Sequence, residues 1–177
     1  MKTIFFIVFS LIVSSVFSQD TKLIEYEVYK LYDQYSKKRK HIIKPRTELD
    51  SLAFCQLRYL KTLDHVNSIT HENPDPKLKT FSMRVNNYFI NTMDERFSEV
   101  ISGYWIGSGK YIDEKNVSRI LFQSLLESPP HKKILDNRRF VNCSFKVCRI
   151  DNGGFILIGV FSTNEVFFFF SYNKFSH

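Results

Sequence analysis

Cysteine is scarce. Only three occur in 177 residues, Cys55, Cys143 and Cys148, so the chain is no disulfide scaffold and must be held by an apolar core. At most one bridge can form. Cys143 and Cys148 are the nearer pair, but an odd separation along a regular strand sends them to opposite faces, so a bridge between them requires a bulge or turn. Cys55 falls within an apolar helical pattern and reads as a buried small hydrophobe, not a nucleophile. A G-x-S-x-G elbow, an H-E-x-x-H helix and nucleic-acid-binding motifs are also absent, which removes the usual serine-hydrolase, zinc-protease and nucleic-acid readings. After the first eighteen residues no stretch approaches the roughly 18 apolar residues of a spanning helix, so no transmembrane anchor is expected.

Those first eighteen residues carry one charge at Lys2, an apolar run from Ile4 to Val13, and Val16 and Ser18 in a small-x-small arrangement. They read as a secretory signal peptide, cleaved before Gln19, and no cysteine stands there to take a lipid. The mature chain, 19–177, is long enough for one domain with a full core and short for two, and reads as a secreted monomer, extracellular or periplasmic. The formal charge is +7. Its excess is clustered at Lys37-Lys38-Arg39-Lys40, at Lys132-Lys133 and at Arg138-Arg139. Such runs form either solvated faces or a groove for an anionic polymer such as a glycan or lipid headgroups.

Helical spacing of Ile24, Val28, Leu31 and Tyr35 predicts a first helix over 22–38, with the basic run at its C-terminal end. Thr47 and Asp50 resemble a capping box for a second helix, whose stripe Leu49, Ala53, Leu57, Leu60 and Leu63 predicts an end near Asn67. A polar, proline-rich loop follows, holding His71. Between Phe81 and Tyr104 the pattern is mixed: Arg84 and Arg96 stand among aromatics, and Glu99 alternates with apolar neighbours, as a buried anchor or a site residue does. Val117, Ile120, Leu121 and Leu125 predict a helix from Asp113.

That helix runs into Glu127-Ser128-Pro129-Pro130-His131-Lys132-Lys133-Ile134-Leu135. Proline disfavours the helical conformation in the residue before it, so the helix stops near Glu127. Ser128 reads as the N-cap of a new short helix with prolines at its first two positions and the His131 N–H as the target of its hydroxyl. The corner is either a capping turn or the mount of a site histidine. Strand-like runs at 140–150, 155–162 and 166–172 follow, the first two joined by Asp151-Asn152-Gly153-Gly154 as a hairpin turn. Helices first and antiparallel strands last make an α+β pattern. The phenylalanine run 167–170 is either a strand buried on both faces or a partner surface.

An exported chain with an isolated histidine, then an arginine, a glutamate in an apolar strand, a helix, a Ser-Pro-x-His corner followed by Ile-Leu, and a hairpin resembles the CAP superfamily. These are the SCP-like extracellular proteins, which include cysteine-rich secretory proteins, antigen 5 and plant pathogenesis-related proteins, and the likeness is strongest to their bacterial branch. It spans residues 24–163, and its most specific part, residues 128–135, is similar to the bacterial "SPGHRxNIL" stretch. The resemblance implies an α-β-α sandwich with a central antiparallel sheet and a cleft. His71 and His131 take the places of the cleft histidines and Glu99 that of the glutamate of the "GEN" motif. Ser128 stands where many eukaryotic members carry a second glutamate. The chain departs from the pattern at Ser98 and Val100, which flank Glu99 in place of glycine and asparagine, and at Leu125, where tryptophan is usual, so it resembles a divergent member.

Two neutral imidazoles and a carboxylate can hold a Zn²⁺-like ion with one position open, with His71 and His131 as the nitrogen ligands; the same trio can also be a hydrogen-bonded cluster without metal. With no nucleophile backed by a base, the expected function is a non-catalytic extracellular binding module for a lipid, glycan or protein ligand. The alternative is a divalent-metal-assisted hydrolase working through the same cleft, with Glu99 or Glu127 as base.

Overall fold

The computed structural model of the chain describes residues 21–89, 95–107 and 112–163. The expected signal peptide, the strand at 166–172 and its phenylalanine run lie outside them. The first helix, α1, covers 21–38 and buries Ile24, Val28 and Tyr32, with Leu31 and Tyr35 packed at the margin. Strand β1 is the two residues Lys44–Pro45. A 3-10 turn, Thr47–Leu49, then leads into α2, Asp50–Leu60.

Two expectations for this second helix are corrected. Thr47 makes no capping box, because the Asp50 carboxylate is spent on a later strand, Asn142–Ile150, where it accepts from Ser144 and pairs with Lys146 Nζ at 2.9 Å. The helix also stops at Leu60, short of Asn67. There the Thr62 hydroxyl donates to Tyr59 O at 2.7 Å and diverts a carbonyl a further turn would need. Leu63 is carried by a turn, and a second 3-10 turn covers Val66–Ser68.

Helix α3, Phe81–Tyr88, is capped by the Thr80 hydroxyl, which accepts from Met83 N. Strand β2 is Phe97–Trp105, α4 is Glu114–Glu127 with the Asp113 carboxylate as its cap, and α5 is Pro129–Leu135. The hairpin closes the described chain: β3, Asn142–Ile150, turns through Gly153 at φ 81° into β4, Gly154–Ser162.

The sheet order is β1-β3-β4-β2, antiparallel among the three long strands, with β1 added parallel to β3 at the edge. All nine residues of β4 are buried, as expected of a central strand covered on both faces. Alternation divides β2 cleanly. Val100 joins the core formed by α1 and α4, while Phe97 and Ile101 pack with α2 and α3 on the opposite face. The result is an α-β-α sandwich.

β3 pairs with β4 without a bulge from Asn142 to Ile150. Cys143 therefore points into the α1/α4 core and Cys148 into the α2/α3 side. The conditional bridge between them does not form, and all three cysteines are free thiols. Cys55 is buried, and burial raises its thiol pKa, consistent with a core role.

Candidate functional site

Residue parity in β2 sends Glu99 to the α2/α3 side, between Phe97 and Ile101. Its side chain is 1% exposed. A carboxylate so desolvated needs a charged partner, and α3 provides one. Arg84, itself wholly buried, donates from Nη2 to Glu99 Oε1 at 2.8 Å. The other guanidinium arm, Nη1, donates at 3.1 Å to both His71 O and Leu78 O. One arginine thus neutralises the carboxylate and grips the loop that carries His71.

That loop is held from α2 as well. Gln56, fully buried, donates from Nε2 to Thr70 O at 2.9 Å and to Glu72 O at 3.2 Å, and its carbonyl accepts from the buried Asn73 amide. Gly103 in β2 lets the Val66–Ile69 segment lie directly on the sheet, since a Cβ there would collide with the Ile69 δ-methyl. Held this way, His71 places Nδ1 2.9 Å from Glu99 Oε1. With the carboxylate as acceptor, neutral His71 carries its proton on Nδ1 and has its Nε2 lone pair free.

His131 arrives around the β2 edge. α4 stops at Glu127, Ser128 takes the N-cap position of α5, and Pro129 and Pro130 occupy its first two positions, as the sequence predicts. The Ser128 hydroxyl, however, makes no capping bond. Its carbonyl accepts from Lys132 N at 2.8 Å, so the prolines fix the corner without it. The corner delivers His131, whose Nε2 lies 3.5 Å from His71 Nε2. Burial, followed by the neighbouring His71, lowers the His131 pKa below the ordinary histidine value.

His71, Glu99 and His131 therefore converge, while Ser128 stands at the corner and donates to neither His71 nor Glu99. Arg84, noted in the sequence without a role, and Gln56, not singled out there, are the positioning residues. A signal existed for each: both are polar residues on the apolar stripe of a helix, where a polar group must find a partner.

The donor set fits a divalent cation in part. Zinc–nitrogen bonds of about 2.0–2.1 Å in tetrahedral geometry separate two nitrogens by roughly 3.3 Å, close to the distance observed between the two Nε2 atoms. His71 is 49% exposed, so further coordination positions would face solvent. Glu99 Oε1 is taken by Arg84 and His71, and Oε2 is buried without a hydrogen-bond partner. Among the described residues no group of three or more His, Cys, Asp or Glu is arranged to hold a metal ion. Glu99 serves instead as the carboxylate that orients the His71 ring.

No protein-family model and no curated protein matches this sequence. Solved structures do. The chain is similar to an extracellular protein containing an SCP domain from Bacillus anthracis, with TM-score 0.60 at 16% identity, over 84% of this chain and 43% of that one. It has the SCP fold. An outer surface protein from Borrelia burgdorferi is similar too, with TM-score 0.53 at 18% identity, over 80% of this chain and 95% of that one. This is a divergent SCP fold, and at such identity the likeness extends to architecture alone. The chain spans less than half the length of the Bacillus protein. No helix among the described residues is long and apolar enough to cross a membrane.

Proposed function

We propose that the protein is exported and acts outside the cell as a non-catalytic binding module, whose cleft presents a divalent cation on His71 and His131 to a lipid, glycan or protein ligand. The signal-like first eighteen residues support export, as do the extracellular and outer-surface neighbours sharing its fold.

The observation that carries the binding reading is the position of Glu99. Metal-assisted hydrolysis needs a base within hydrogen-bond reach of the attacking water. Glu99 Oε1 is occupied by Arg84 Nη2 and His71 Nδ1, and Oε2, though it has no hydrogen-bond partner, is buried out of reach of solvent. Glu127, the other candidate base, is exposed at the end of α4 and accepts from Gln123 at 3.1 Å. When bound, the cation would supply a Lewis-acid position for an anionic or carbonyl oxygen of the ligand. The protein's own contribution is to fix His71 in the Nδ1–H form and to aim two neutral nitrogens at one point. Two protein ligands are fewer than the three of a catalytic zinc site, which fits exchangeable occupancy.

The test is turnover of ester, peptide and glycoside reporters by zinc-loaded protein beside the His131→Ala variant. The binding reading predicts no turnover above the variant. Turnover that depends on His131 would replace it with the hydrolase reading.

A further inference from the structure

Away from the cleft, the C-terminal ends of α1 and α5 meet. α1 finishes in the basic run 37–40, and α5 carries Lys132 and Lys133, followed by Arg138 and Arg139. Asp136 ties the two stretches together. Its Oδ1 accepts from the Tyr35 hydroxyl at 2.6 Å and lies 3.2 Å from Arg39 Nη1, while Oδ2 pairs with Lys132 Nζ. Arg39 also stacks on the Tyr35 ring, 4.1 Å from its centroid. Below them His41 Nε2 donates to Phe140 O at 2.6 Å. Lys37 pairs with Asp33. Lys38, Lys40, Lys133, Arg138 and Arg139 make no ion pair among the described residues.

Helix dipoles account for cations in a last helical turn, but not for Arg138 and Arg139, which lie beyond α5. Lys40 is more telling. At φ 56° it occupies the left-handed position that ends α1, with Lys40 N donating to Lys37 O and His41 N to Ser36 O. Glycine is favoured there because a Cβ is sterically penalised. A lysine at this position adds charge at the expense of local conformation.

The same face exposes two aliphatic side chains. Ile42, two residues after Lys40, is 76% exposed between the buried His41 and Ile43. Val141, two residues after Arg139, is 38% exposed between the buried Phe140 and Asn142. The two segments are bonded to each other through Lys44 N and Val141 O at 2.9 Å. A sulfated glycan would engage the cations alone. Cations flanking protruding aliphatic groups match the two layers of a lipid interface, phosphate outside and acyl chain beneath.

We propose that this face docks on an anionic lipid surface, with the five unpaired cations on headgroup phosphates and Ile42 and Val141 entering the interface. The surface does not use His71 or His131 and stands whether or not they hold a metal.

The test is co-sedimentation of the chain from residue 19 onward with vesicles of phosphatidylcholine containing phosphatidylglycerol, against pure phosphatidylcholine. Dextran sulfate serves as a soluble polyanion, and circular dichroism monitors the fold. Binding is expected only to the anionic vesicles. It should fall more than about tenfold in K38E/K40E/R138E/R139E, and Ile42→Asp should weaken vesicle binding while leaving dextran sulfate binding unchanged. Equal binding to neutral vesicles, or anionic binding that survives the quadruple substitution, would overturn the proposal. So would an Ile42→Asp variant that behaves as wild type toward vesicles, which would reassign the face to a polyanionic glycan.

Discussion

Arg84 Nη2 and Glu99 Oε1 meet at 2.8 Å in a part of the fold where neither side chain is more than 1% exposed. The pair joins α3 to β2, and the second arm of the same guanidinium holds the His71 carbonyl. Breaking a buried pair by removing one partner leaves a bare charge, at a typical cost of about 3–5 kcal/mol, whereas apolar replacement of both partners is often close to neutral. Arg84→Met should therefore lower the urea midpoint sharply, and adding Glu99→Leu should restore most of the loss. The double variant regains stability without regaining the orientation of His71. A double variant no more stable than Arg84→Met would show that Arg84 matters through its loop contacts instead.

Glu25 gives the fold a pH dependence of identifiable origin. Its carboxylate, on α1, accepts from Val147 N at 2.9 Å and faces Lys146 Nζ at 3.6 Å. Burial is the largest influence and raises its pKa above 4.5, against the opposing effects of the Val147 N–H and Lys146. A carboxylate whose pKa is raised on folding binds more protons in the native state across that window. Stability from this group is therefore full at low pH and declines as pH rises through the native pKa. Glu25→Gln, which keeps an acceptor for Val147, should remove that decline and be the more stable form at neutral pH. Denaturant unfolding measured across the acidic range would show it as a flatter profile.

The thiols should stay separate. Cys143 and Cys148 lie on opposite faces of β3, and burial raises both pKa values, that of Cys148 to about 12. In denaturant without reductant, thiol titration should count three per chain, and native protein should react slowly. A count of one would mean that β3 is not the regular strand described.

Much of this architecture is legible in the residues because it rests on short periods. The α1 stripe, the corner at Ser128-Pro129-Pro130 and the hairpin at Gly153 each follow from local rules that tertiary contacts reinforce. Parity alone placed Glu99 on a buried face and set Cys143 against Cys148. What was illegible depended on contacts between distant segments. The Asp50 carboxylate was drawn to β3, α2 ended where Thr62 captured a carbonyl, and α3 was masked because Arg84 interrupts its apolar pattern. The convergence of His71 with His131 was carried by family resemblance, since no local rule links residues on either side of an edge strand. Gln56 escaped notice, and Arg84 was noted without a role, for the same reason: both hold loop carbonyls that no spacing rule reveals.

His71, oriented by the Glu99 carboxylate, and His131, placed by the proline corner, are proposed to form a two-histidine cation site in which Glu99 is not a ligand. It is tested most directly by calorimetric titration of zinc into the chain from residue 19 onward, beside His71→Ala, His131→Ala and Glu99→Gln. The predicted result is one zinc per chain in the wild type and none in either histidine variant. Affinity in Glu99→Gln should be weaker by about 10–100-fold, the usual effect of losing an orienting partner. Wild-type protein that takes up no zinc, or that keeps its affinity without His131, would contradict the claim.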